Sequence, residues 1–203
     1  MWRLKPLQWL VIDLMDWLFP FCAVNLLWVL FSLTIILFPP ATASLFETGY
    51  RAYGGQAPTV SAFVRGIRRW LIPAWKWAAP NLLLIAAAMV VTRSLITDEL
   101  VDALIAGSAA LVLLGQLYFW PYLMLQETPN LRQAARNSVY TMLADPLMTG
   151  MNLALTIILL IPSLVVIVPV LFILPVLLCL LYTYGLVAWL SHHHILPETV
   201  RDN

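Results

Sequence analysis

Charge is what this sequence has least of. Only 10% of its 203 residues are Asp, Glu, Lys or Arg, and 62% are hydrophobic, whereas soluble domains carry roughly 25% charged residues. That balance excludes a water-soluble core. The formal net charge is +1, so no overall field recruits nucleic acid, and the basic residues act through position rather than number. There are two cysteines, Cys22 and Cys179, each inside an apolar stretch, where a thiol behaves as a small hydrophobe and a structural disulfide is not expected. A Gly-rich phosphate loop, an internal repeat, a soluble domain and a low-complexity linker are all missing. The amino-terminal MWRLKPLQWLVIDLMDWLF starts with charge but has no small-residue cleavage site. Asp13 and Asp16 interrupt the apolar core a signal peptide needs, so this segment is expected to be retained.

What is present in abundance is apolar sequence at membrane-spanning length. A bilayer core takes about 20 apolar residues of helix, and five stretches qualify: 17–38, 73–91, 101–125, 147–168 and 170–190. The expected fold class is therefore all-α, a polytopic transmembrane helical bundle forming a single integral membrane domain. The second stretch is expected to start or kink at Pro80, and Pro121 to bend the end of the third. Residues 147–190 carry no charge, too long for one span and right for two, with a break between Pro162 and Pro175, near Pro169. Nine tryptophans, mostly at the ends of apolar runs, suit an aromatic belt at the headgroups; a sugar-stacking surface is the alternative.

Basic residues give the expected orientation. With the loop after the first span in the cytoplasm, that side collects Arg51, Arg65, Arg68, Arg69, Lys76, Arg132, Arg136 and Arg201, leaving Arg3, Lys5 and Arg93 outside. Eight against three follows the positive-inside rule. Five spans then place the amino terminus outside and the carboxyl terminus inside; a four-span arrangement is the alternative, because Arg3 and Lys5 would have to be exported.

Two short amphipathic helices are expected on the cytoplasmic side. Thr59 stands at an N-cap position, after which Phe63, Ile67, Trp70 and Leu71 share one face and Arg65, Arg68 and Arg69 the other. Thr42 is the expected start of the helix before it, and Gly54 and Gly55 the turn between. The second helix follows Thr128 and Pro129 as cap and first residue, with an apolar stripe of Leu131, Ala134, Ala135, Val139, Met142 and Leu143 and with Arg132 and Arg136 one turn apart. These arginines suit anionic headgroups, at about 1 kcal/mol each, or a docked cytoplasmic partner. Within the spans, Asn25, Asn81, Gln116 and Asn152 suit hydrogen bonds between helices, with substrate contact the alternative. Asp13 and Asp16 are read as interfacial and solvated.

The stretch 25–45 reads NLLWVLFSLTIILFPPATASL, and here the chain resembles the YesL family of small bacterial membrane proteins of unknown function. Asn25, Leu26, Leu27, Trp28, Phe31, Ser32, Leu33, Pro40, Ala41, Thr42, Ala43 and Leu45 fit the family's N-L-L-W, F-S-L and P-A-T-A-x-L core. Thr34 and Pro39 stand where relatives often carry Pro and Gly. The likeness covers 24–70, including an aromatic and basic helix after the Gly turn. In the same stretch Asn25, Trp28, Ser32 and Thr42 are polar or aromatic where lipid alone would favour Leu, which makes them, with Gln116, candidate helix-packing residues. Relatives are often encoded beside carbohydrate-uptake genes, so the resemblance implies an accessory role beside a carbohydrate ABC importer, with its permease subunits as partners and membrane lipids around the bundle.

Catalytic and metal signals are missing. His192, His193 and His194 are consecutive and on a helix point about 100° apart, so they cannot share one metal. Ser108 has no histidine base. A non-enzymatic membrane protein without cofactor is expected, in the bacterial cytoplasmic membrane; a small transporter or channel is the alternative, and would want charges deeper in the spans.

Overall fold

Two adjacent prolines decide the first turning point of the chain. Pro39 and Pro40 lack the N–H that a continuing helix needs and disfavour helical backbone just before them. The structure is a computed structural model describing residues 5–94, 103, 105, 107, 114, 116–165 and 172–196. In it the incoming helix stops at Ser32, residues 33–37 form turns and a bend, and the prolines fall in the first turn of the next helix, where a missing N–H costs nothing. Helix therefore fills only part of the span expected over 17–38. The following helix also starts at Phe38 rather than at Thr42, because the prolines themselves serve as its opening turn.

Eight helices and no strands occur among the described residues: α1 Lys5–Asp16, α2 Leu18–Ser32, α3 Phe38–Tyr53, α4 Val60–Ser94, α5 Phe119–Leu125, α6 Leu131–Ala144, α7 Pro146–Val165 and α8 Leu174–His192. The all-α class is as the sequence implied. Two helices, α4 and α8, are long and apolar enough to cross a membrane, and counting the bent pairs α1–α2 and α6–α7 as one span each brings the number to four. The first part of the expected span 101–125, residues 101–115, lies mostly outside the described residues, as does the expected break near Pro169. Within that third stretch, the short α5 is buried among other helices.

α8 is the post around which the rest is arranged. All residues from 181 to 190 are buried, and α1, α2, α3, α5 and α7 pack against the helix. One side of it, with Leu180, Tyr184 and Val187, shares a core with Phe21, Val24 and Leu45. The other, with Tyr182, Leu186 and Trp189, shares a core with Tyr118, Phe119 and Leu123. Close approach is obtained with glycine, as in membrane bundles generally. A Cβ on Gly185 would lie 2.9 Å from Asn152 Nδ2 of α7, and one on Gly66 of α4 only 2.2 Å from Ser44 Oγ of α3.

Each bent pair has a right-angled corner. α1 meets α2 at 92° and α6 meets α7 at 99°. Asp145 makes the second corner: its Oδ1 accepts from Met148 N at 2.9 Å, capping α7 just ahead of Pro146. α6 begins at Leu131 with Asn130 as its cap, Oδ1 accepting from Gln133 N at 3.1 Å, so Thr128 and Pro129 lie in the preceding loop. The expected apolar stripe of α6 is divided between buried and exposed positions. Ala134, Ser138 and Thr141 are buried, while Val139 and Leu143 are exposed. Ser138 and Thr141 face inward because α5 and its N-cap residue offer them partners: Ser138 Oγ accepts from Tyr118 N, and Thr141 Oγ1 is hydrogen-bonded to Tyr122 Oη.

α4 overturns a second expectation. The basic amphipathic segment after Thr59 and the span after Pro73 form one helix of 35 residues that runs through Pro73 and Pro80, a length of roughly 52 Å. Thr59 does cap it, Oγ1 accepting from Ala62 N at 3.3 Å. Proline is tolerated inside membrane helices where side chains answer the freed backbone groups. Near Pro80, Asn81 Nδ2 donates to Trp77 O at 2.7 Å. Beyond that point Leu82, Leu83, Leu84 and Ile85 are all exposed.

Candidate functional site

The α3–α4 hairpin brings together the most polar interior of the protein. Its turn closes at Gly55, whose φ of +77° is a left-handed backbone that glycine adopts without strain. The two helices are then clamped at Gly66, where Ser44 Oγ donates to Phe63 O at 2.6 Å. One turn further along α3 lies Glu47, buried to 8% exposure. Arg51 Nη2 and Arg69 Nη1 donate to its Oε1 at 2.8 and 3.5 Å, and Trp70 Nε1 donates to Oε2 at 2.6 Å. A buried carboxylate is stable only with such partners. The Arg69 guanidinium also sits 5.4 Å from the Trp70 ring centroid.

A cleft of about 430 Å³ opens beside this group. Arg51 and Arg69 form part of its wall, Tyr50 and Trp70 supply aromatic surface, and Leu123, Met124, Gln126 and Pro129 close it from α5 and the following loop. Gln126 is held by its own oxygen, which accepts from Asn130 N at 2.6 Å. Its Nε2 is buried and has no hydrogen-bond partner. The cleft thus combines two guanidinium groups, one carboxylate and an unused amide donor.

The polar residues read from the sequence fall elsewhere. Asn25 is fully buried on α2, and its Oδ1 accepts from Val176 N in the first turn of α8 at 3.1 Å. It answers one of the N–H groups that a helix start leaves open. Trp28 Nε1 donates to Thr42 Oγ1 at 3.2 Å, tying α2 to α3, and Thr42 Oγ1 donates in turn to Phe38 O at 2.9 Å. Ser32 closes α2 with a buried, unpartnered hydroxyl oxygen. Gln116 Nε2 donates to Asn81 Oδ1 at 2.7 Å, and Asn152 Nδ2 donates to Tyr118 Oη at 3.1 Å. Of the five candidate arginines only Arg69 reaches the cleft. Arg65, Arg68, Arg132 and Arg136 are exposed on α4 and α6 and form no ion pair among the described residues.

Three acidic residues carry more structure than the sequence suggested. Asp13, expected to be solvated, is buried on α1 and accepts from Tyr184 Oη of α8, whereas Asp16 is exposed. The corner between α1 and α2 turns Asp13 inward. Glu47 was legible in one respect: it is the only carboxylate between Asp16 and Asp98, with Arg51 one turn away. Asp145, next to Pro146, has the form of an N-cap. The aromatic belt is correspondingly thinner than expected, since Trp70 and Trp189 are buried and Trp77 stacks on Phe119 at 3.9 Å. No group of three His, Cys, Asp or Glu able to hold a metal occurs among the described residues, and both cysteines are free thiols.

No family model, curated protein or solved structure matches the chain.

Proposed function

We propose that this is a non-catalytic, multi-pass protein of the bacterial cytoplasmic membrane that serves as an accessory subunit of a larger membrane assembly. In this reading there are five spans, the α3–α4 turn and the carboxyl terminus are cytoplasmic, and the partner is the permease of a carbohydrate ABC importer. The importer enters through the resemblance of residues 24–70 to the YesL family alone, an argument by association. What carries the accessory role is the exposure of Arg65 and Arg68 on α4 and of Arg132 and Arg136 on α6, which this chain's described residues leave without an ion pair. Arginine is the cation best suited to an interface, because its planar fork pairs bidentately with carboxylates.

Copurification tests this directly. Replacing Arg65, Arg68, Arg132 and Arg136 by Gln is expected to lower recovery of the partner complex while leaving membrane insertion intact. Unchanged recovery, with only binding to anionic lipid reduced, would make them lipid anchors. Movement of sugar or ions into liposomes by the purified protein alone would defeat the accessory reading in favour of a small transporter or channel.

A further inference from the structure

We propose that the cleft beside Glu47 is a binding site for a phosphate ester, seated between Arg51, Arg69 and the amide of Gln126. Charge is the first argument. Two guanidinium groups face one carboxylate, so the cleft holds an excess of one positive charge, which a singly charged phosphodiester or a phosphate monoanion neutralises. Geometry is the second. Each arginine has five N–H donors and is seen to use one nitrogen on Glu47, so the carboxylate orients both forks and leaves further donors for a ligand. Guanidinium and phosphate are well matched for paired hydrogen bonds.

Gln126 supplies the third argument. Its Nε2 is buried without a partner while its oxygen is fixed by Asn130 N, so the amide cannot flip without losing that bond. An acceptor oxygen seated beside Nε2 would give that donor the partner it lacks. Leu123, Met124 and Tyr50 give the same cleft an apolar wall able to receive the carbon part of an ester. The site needs no partner protein, so its failure and the failure of the accessory reading are separable.

Two sources of the phosphate are open to test with the full chain purified and stripped of lipid. Thermal stability is measured against phosphatidylglycerol in mixed micelles, against soluble glycerol 3-phosphate, and against succinate. A saturable stabilisation by either phosphate compound supports the site. Response to the lipid alone assigns a headgroup, and response to the soluble ester assigns a free metabolite. Gln126→Glu keeps the oxygen that Asn130 uses and replaces the donor by an anion, so it is expected to weaken binding at least tenfold. Lys76→Gln removes an equal charge from exposed α4 surface and is expected to leave binding unchanged. No stabilisation by either compound, equal stabilisation by succinate, unaltered binding by Gln126→Glu, or equal weakening by Lys76→Gln would each overturn the proposal.

Discussion

α3 and the outer half of α4 have exchanged the places that a soluble protein would give them. α3 contains Thr42, Ser44, Glu47, Thr48 and Gly49, and most of its residues are buried; Leu82 to Ile85 on α4 are all exposed. In water the hydrophobic effect would drive the leucines inward at about 25 cal/mol per Å². In lipid that drive would be absent, since acyl chains are as apolar as leucine. What remains is close packing and hydrogen bonding, which select small and polar residues for the interior. α6 repeats the pattern within one helix, with Ser138 and Thr141 inside and Val139 and Leu143 outside.

If that sorting is right, substitutions should be felt in the opposite order to a soluble protein. The largest effect is expected at the clamp between α3 and α4. Gly66→Val places carbon where Ser44 Oγ already lies at 2.2 Å from a Cβ, and unfolding in detergent should show a loss of about 3 kcal/mol from overpacking. Next comes Glu47→Ala. It strands the buried Trp70 donor, while Arg51 and Arg69, with side chains 40% and 62% exposed, can be rehydrated. The expected loss is about 2 kcal/mol, nearly all from the tryptophan side.

Asn25→Leu should be milder, at about 1 kcal/mol. It removes the acceptor for Val176 N at the start of α8, and the freed N–H lies within a helix turn that other groups can partly answer. A stable Asn25→Leu variant that no longer copurified with its partner would move this residue from packing to recognition. The smallest effect is expected at Leu83→Ala. A buried leucine costs 2–5 kcal/mol on truncation, whereas Leu83, 72% exposed, should cost less than about 0.5 kcal/mol. A loss near 2 kcal/mol in the isolated protein would mean that this part of α4 is packed against protein.

The comparison also explains what could be read from the chain. Local signals were legible: the Thr59 cap and the Gly55 turn depend on neighbours in sequence, and both occur. The helical class followed from composition. On α6 periodicity finds two faces but cannot say which one packs against protein. The helix before Pro73 was read as separate because its pattern changes there from amphipathic to apolar, whereas α4 runs on through the proline. Asn25 and Gln116 stood out as polar residues in apolar runs, whereas the partners that give them structure, Val176 N and Asn81, lie 151 and 35 residues away. The Glu47 cleft was the hardest to see. It assembles α3, α4, α5 and the loop that follows, and of the arginines read as a docking surface only Arg69 belongs to it.

α4 is expected to run from a watery surface at its root into lipid beyond Pro80. Spin labels on single cysteines at Ala57 and Leu83, in a chain with Cys22 and Cys179 replaced by alanine and reconstituted in bilayers, test it most directly. The account predicts that the label at 57 is relaxed by a water-soluble nickel complex and the label at 83 by oxygen dissolved in the acyl chains. Nickel relaxation at 83, or protection of that position from both reagents, would contradict it.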